Sequence, residues 1–313
     1  MRAEDAEAIR RTVLHALAQD RTPGWSFTGY FQGVDWPVIG DDSMTVTMPA
    51  GRHATDAQGN VEASALLGLI DAAMASPLRI KLPPGARMAT TQISVQFTGA
   101  KVRSSVRVET RKEGRTQSSA MPQLLAHARL YGDAGLAMIG QSSFVQLPPP
   151  QQMGEMAPLP WQRHERIEVP PPRPEELDPR ERQVFKACEA ALVAHVANPA
   201  VSFLRHFWGL LPQRTAGGAE CRLAVGPHLA NRVGHVQGGI LTGMAAETGR
   251  CAVPNHPVLS NLSAWFTGPG AGGVLLARST VVHAGRSLAV VRTEITGAGG
   301  ARVLEATSAH SAA

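Results

Sequence analysis

The sequence predicts an α+β protein assembled from two copies of one domain, each a helix wrapped by an antiparallel sheet. Three observations carry this. The chain matches itself on a long shift, each copy holds one helix that is apolar nearly all round, and each such helix precedes Val-rich segments separated by glycine turns. With 313 residues, 43% of them hydrophobic, the chain is long enough to bury two cores.

The repeat is read directly. Gly51, His53, Gly59, Val61, Leu66 and Gly68 fall without a gap on Gly226, His228, Gly234, Val236, Leu241 and Gly243, a shift of 226 − 51 = 175 residues. Upstream the shift changes by one, and Ser26, Phe27, Phe31 and Gly33 meet Ser202, Phe203, Phe207 and Gly209. Downstream, Phe97-Thr98-Gly99 meets Phe266-Thr267-Gly268, and Gly114-Arg115-Thr116 meets Gly285-Arg286-Ser287. Between the copies lie Pro148-Pro149-Pro150 and a second Pro-rich run from Pro158 to Pro174, which can extend neither helix nor sheet. The expected domains are 1–147 and 176–313, joined by an extended linker over 148–175.

Each copy opens with an amphipathic helix, Ala6 to Ala18 and Val184 to Val196. A loop and a strand follow, Met44 to Met48 and Cys221 to Val225. The apolar helices come next, Ala63 to Ser76 and Gly238 to Val253, whose composition demands burial. The first copy then offers strands at Ile93 to Phe97, Val102 to Thr110, Leu124 to Tyr131 and Leu136 to Val145. The second offers Leu262 to Phe266, Val274 to His283, Ser287 to Thr296 and Ala301 to His310. One buried helix followed by an antiparallel meander is the hotdog arrangement. Two hotdogs pairing edge to edge within one chain would cover a sheet edge of each and make a pseudo-dimer, a double hotdog.

Composition excludes several function classes. The formal charge is +5, but it is carried by arginine with only four lysines and no basic run, so nucleic-acid binding is not expected. Cys188, Cys221 and Cys251 have neither zinc-ligand spacing nor an even number, so neither a metal site nor a disulfide framework is expected. Met1 to Asp20 lacks an apolar core, and no stretch of about 18 apolar residues occurs. These features point to a cytoplasmic protein that does not engage membranes.

The second apolar helix is preceded by Asn231-Arg232-Val233-Gly234-His235-Val236-Gln237-Gly238-Gly239. This resembles the helix-opening motif of the phenylacetate-pathway-type hotdog thioesterases, where Asn and a spacer lead to His-Gly-Gly and a carboxylate follows eight residues after the first glycine. The strand pattern and Phe-Thr-Gly are similar as well, so the resemblance covers most of both copies. It departs at two positions. Gln237 replaces the histidine, leaving a hydrogen-bonding group with no acid–base capacity. The carboxylate position is Ala246, with Glu247 one residue further round the helix.

The first copy supplies what the second lacks. Asp71 stands opposite Ala246, while Asp56, Glu62 and Ala63-Ser64 stand where Asn231, Gln237 and Gly238-Gly239 are. The resemblance implies an acyl-CoA thioesterase of fatty acid metabolism with one composite site. Asn231, Gln237 and the Gly238 amide would come from the second copy and Asp71 from the first, while the opposite site, around Glu62, Ala63 and Glu247, would be degenerate. It also implies a hydroxyl seven residues before the strand aromatic, which is Thr90. Thr91 is the alternative, because a one-residue slip exchanges strand faces. Gly239, His235 and Thr91 are expected against substrate, and Glu247, eight residues after Gly239, is the alternative acid.

The expected chemistry places the thioester oxygen at the amides and dipole of the helix N-terminus, with Asp71 as base or nucleophile and Thr90 holding water. No cofactor is implied beyond the coenzyme A of the substrate, and a homodimer of double-hotdog chains is expected. Other readings stay open. Gly238-Gly239 serves close helix packing equally well, Asn231 can form a turn, and His53 and His228, equivalent in the two copies, suggest a shared structural role. At the level of function the alternatives are a noncatalytic acyl-thioester or lipid binder and an acyl-thioester hydratase or dehydratase.

Overall fold

A computed structural model describes residues 2–82, 86–117, 121–148, 157–162 and 169–312. The first copy contains α1 (Ala3–Asp20), α2 (Phe27–Phe31), β1 (Asp35–Ile39), β2 (Ser43–Pro49), α3 (Ala63–Leu78), β3 (Arg87–Phe97), β4 (Ser105–Arg115), β5 (Gln123–Gly132) and β6 (Gly135–Leu147). The second repeats the order with α4 (Pro179–Ala197), α5 (Phe203–Phe207), β7 (Gln213–Thr215), β8 (Gly218–Ala224), α6 (Gly238–Ala252), β9 (Val258–Phe266), β10 (Val274–Ala284), β11 (Leu288–Thr296) and β12 (Arg302–Ser311).

All twelve strands form one antiparallel sheet in the order β1-β2-β4-β5-β6-β3-β9-β12-β11-β10-β8-β7. The second half mirrors the first, and the halves join along β3 and β9. There Ser94 faces Ser263, its own equivalent in the repeat, with the two hydroxyls 2.6 Å apart. The pseudo-twofold axis passes at this pair, and the joint converts two open edges into one ladder.

The apolar helices α3 and α6 lie in the curl of the sheet and cross each other closely. A Cβ added to Gly239 would lie 2.3 Å from the Gly68 Cα, and one added to Gly243 would lie 2.9 Å from the Ser64 Cβ. Gly68 and Gly243 are equivalent, as are Ser64 and Gly239, so the crossing is one contact made twice about the axis. Around the same axis Phe31 and Phe207 pack at 5.0 Å and Phe27 and Phe207 at 6.2 Å. Outside them α1 and α4 are tied by Arg10–Glu189, Arg21–Glu181 and Arg180–Asp20.

Several elements differ from the sequence reading. The short α2 and α5 and the edge strands β1 and β7 lay in stretches read as loops. Strand β3 begins at Arg87, six residues before the expected Ile93. The stretch read as an extended linker is pinned where it is described. Leu159 is buried, short 3-10 turns form at Pro160–Gln162 and, across its end, at Pro174–Glu176, and Trp161 packs on Trp36 at 4.4 Å and Trp25 at 5.7 Å. Residues 149–156 and 163–168 of that linker lie outside the described residues. No helix among the described residues is long and apolar enough to cross a membrane.

The crossing makes a specific demand. Gly239→Ala places a methyl against backbone, so the helices must separate. We expect a loss of about 1–3 kcal/mol, read as a lowered urea midpoint with unchanged m-value.

Candidate functional site

Asp71 lies midway along α3, on a helix whose other residues are nearly all apolar. It is 6% exposed. Because α6 starts where α3 is half complete, the carboxylate faces the N-terminus of α6. It accepts hydrogen bonds from the Gly239 N–H and, at 3.0 Å, from the Thr90 hydroxyl. A Cβ on Gly238 would lie 2.9 Å from Asp71 Oδ2, so any larger residue there would push the carboxylate aside. Gly239 combines both readings of the glycine pair: it packs on Gly68, and its amide holds Asp71.

Burial pushes the Asp71 carboxyl up to about 6, against the lowering effects of Thr90, the Gly239 amide and Arg79. Desolvation therefore outweighs the three favourable interactions, and the carboxyl titrates close to neutrality.

The two threonines are separated by a register shift between Thr90 and Gln92 in the β3–β6 ladder. The shift leaves Thr90 directed at Asp71. The Thr91 hydroxyl instead bonds the carbonyl and hydroxyl of Ser143. Gln237 is the N-cap of α6, and its side-chain oxygen accepts from the Ile240 N–H at 3.2 Å. Asn231 forms a turn, accepting from the Val233 and His235 amides at 3.0 and 3.1 Å. Asp56 does the same in the first copy with the Gln58 and Asn60 amides. Burial, then Arg87, lowers the pKa of His235.

A cavity of about 700 Å³ opens beside Asp71, and Thr90, Thr91, Asn231, His235, Gln237 and Gly238 all line it. It runs along α3 past Ala72, Ala75, Ser76 and Arg79, beneath Trp25, Gly29 and Gln32, and Phe266 and Trp161 close further walls. The motif reading missed Arg79, Trp25 and Trp161. The first of these was within reach, since Arg79 follows Asp71 by 79 − 71 = 8 residues on one helix.

Glu247 does not line this cavity. It is buried in ion pairs with Arg205 at 3.2 Å and Arg250 at 2.6 Å. Glu62 lies beside this cluster, its pKa raised by burial and then by Glu247. The repeat explains the contrast. Gly29, Gln32, Ala72 and Ala75 around the cavity correspond to Arg205, Trp208, Glu247 and Arg250 in the second copy. Small or polar side chains leave space in one half, and an ion-pair cluster and a buried indole fill it in the other. His53 packs edge-on against Phe31 and His228 packs tilted against Phe207, with ring centroids 4.9 and 5.0 Å apart, and burial lowers the pKa of both to about 4.

Residues 227–310 match the family model of the acyl-CoA thioesterase N-terminal domain. No curated protein matches the sequence. Among solved structures, a protein described as an oleoyl thioesterase from Lactobacillus plantarum aligns over 88% of this chain and 98% of its own, with TM-score 0.55 and 11% identity. The 12:0-ACP thioesterase from Umbellularia californica aligns over 86% of this chain and 93% of its own, with TM-score 0.53 and 10% identity. A hot dog fold protein from Alicyclobacillus acidocaldarius aligns over 89% and 96%, with TM-score 0.52 and 8% identity. At these identities the likeness establishes the fold, a double hotdog. The family match lies within the second copy, the one that carries Asn231, Gln237 and the Gly238-Gly239 pair.

The Asp71 environment sets a stability test. Between the ordinary value of 3.8 and about 6 the folded protein keeps a proton that the unfolded chain has lost, so this group's contribution falls as pH rises through that window. Asp71→Asn removes the penalty. Above pH 6 we expect the variant to be more stable than wild type by on the order of 1–3 kcal/mol, with the gain vanishing near pH 4, measured by urea melts across pH.

Proposed function

We propose that the protein hydrolyses an acyl-CoA thioester at a single composite site between its two copies. The observation that carries this is Asp71 of the first copy, buried and titrating near neutrality, held against Gly238-Gly239 of the second. The thioester carbon sits between them. The Gly238 amide and the α6 dipole stabilise the negative charge that develops on the carbonyl oxygen. Asp71 in its ionised form takes a proton from the attacking water, and the thiolate of coenzyme A leaves. General-base action is favoured over direct attack because Thr90 and the Gly239 amide already anchor the carboxylate. It keeps both hydrogen bonds while accepting a proton, whereas a nucleophile must move away from them. The Gln237 amide nitrogen and Asn231 orient the substrate from the cavity wall.

Free-thiol release from short, medium, long-chain and aryl acyl-CoAs tests this reading. Wild type should turn over at least one class. Asp71→Asn should lose about 10²–10⁴-fold, and Glu247→Gln should stay active. Thiol release that persists in Asp71→Asn and disappears in Glu247→Gln would place the acid in the second copy. Binding without thiol release would make the protein a carrier.

The pH profile is a second test. Activity should rise through a midpoint at about 6 and level off above it, since the ionised carboxylate is the working form. Because the Thr90 hydroxyl lowers the Asp71 pKa, Thr90→Val should move the midpoint upward, beyond any change in the plateau rate.

A further inference from the structure

The cavity wall carries a charge that the proposed chemistry does not use. Arg79 caps the C-terminal end of α3 and lines the cavity eight residues beyond Asp71, about 12 Å along the helix axis. It is half-buried. Among the described residues its one side-chain hydrogen bond is a long one, 3.4 Å from Nη1 to the Ala86 carbonyl, and no carboxylate forms an ion pair with it. Burial and the like charge of Arg232, which also lines the cavity, lower its pKa to about 10, so it remains a cation at neutral pH. Long helical side chains lean toward the N-terminus, and Arg79 is close enough to Asp71 to pull that carboxyl's pKa down.

The second copy shows the alternative arrangement. Pro254 stands at the position of Arg79, and the arginines that fill the space there, Arg205 and Arg250, are both paired with Glu247. In the closed half the protein neutralises its buried guanidiniums internally. In the open half Arg79 faces the cavity with Asp71 acting on it only beyond ion-pair distance and no other carboxylate paired with it among the described residues, an arrangement that a ligand anion would complete.

Resting on the composite-site reading above, we propose that Arg79 is a substrate-binding residue that receives an anionic end of the acyl group. The preferred substrate is then a short acyl thioester ending in a carboxylate. The phosphates of coenzyme A are a less suitable partner. The thioester must sit at Asp71, and the whole pantetheine arm separates its sulfur from the nearest phosphate, whereas Arg79 acts on Asp71 itself.

Binding to the Asp71→Asn protein tests this without turnover, so it stands or falls separately from the proposed hydrolysis. Succinyl-, glutaryl- and adipyl-CoA are compared with alkyl acyl-CoAs of matching length by calorimetry at pH 8. At least one carboxyacyl thioester should bind about 10- to 100-fold tighter than its alkyl counterpart. Adding Arg79→Met should erase that preference while leaving alkyl binding within a few-fold, and Arg79→Lys should keep part of it. Melting curves of both variants show that they are folded, and the lysine variant keeps the test valid if the methionine variant is not. Equal or tighter binding of the alkyl series overturns the proposal. The same measurements on acyl-pantetheine thioesters, which lack the nucleotide phosphates, decide the source of the anion. A preference that survives there supports the acyl carboxylate. An Arg79 effect seen only with coenzyme A thioesters assigns the arginine to a phosphate and overturns the proposal.

Discussion

The close crossing of α3 and α6 is the constraint on which the rest of the molecule depends. Four small residues, Ser64, Gly68, Gly239 and Gly243, let the two helices approach to backbone contact. That contact fixes where α6 begins relative to α3, and so fixes that its N-terminus meets Asp71. It also sets how far the two half-sheets stand apart, allowing β3 and β9 to join in register at Ser94 and Ser263. A wider crossing would lose the ladder between the halves and the Gly239–Asp71 hydrogen bond together, because both follow from one packing distance.

Within that frame, the electrostatics divide unevenly between two equivalent places. At one, a carboxylate is desolvated and supported by one hydroxyl and one amide, which leaves its protonation finely balanced. At the other, Glu247 is paired with two guanidiniums and does not line that cavity. A buried ion pair with matched partners is inert, and removing one partner would strand a charge. A lone buried carboxylate beside an open space is the reverse, costly to ionise and therefore ready to accept a proton. The same helix position, one residue apart in register, yields an ion-paired packing element in one half and a carboxyl with a raised pKa in the other.

Much of this was legible in the sequence, and the reason lies in the repeat. The 175-residue shift put Asp71 opposite Ala246 and so indicated a division between copies. The structure brings Asp71, Thr90 and Gly238 to one cavity wall. The choice between Thr90 and Thr91 needed the register irregularity in β3, which no residue pattern announces. The short α2, β1 and β7 were hidden because elements of a few residues carry too little periodicity to stand out. Trp161 escaped because its packing on Trp25 and Trp36 joins parts of the chain far apart in sequence. Asn231 was left between turn and site. It makes a turn matched by Asp56 while also lining the cavity, so the two readings were never exclusive.

Fusion of the copies into one chain is what permits the asymmetry. In a homodimer of identical subunits, any substitution appears at both sites. An arginine at the position of Gly29 would fill both cavities at once, and a carboxylate at the position of Ala72 would need its partners in both halves. In a tandem chain the two positions vary separately. The Arg205–Glu247–Arg250 cluster can then fill one half and brace the crossing, while Gly29, Ala72 and Ala75 keep the other half open. The closed half packs around Phe207 and Trp208, and through α6 and its N-terminal amides it holds Asp71 of the open half in place. The second copy therefore meets Asp71 mainly as a rigid donor surface at the start of α6.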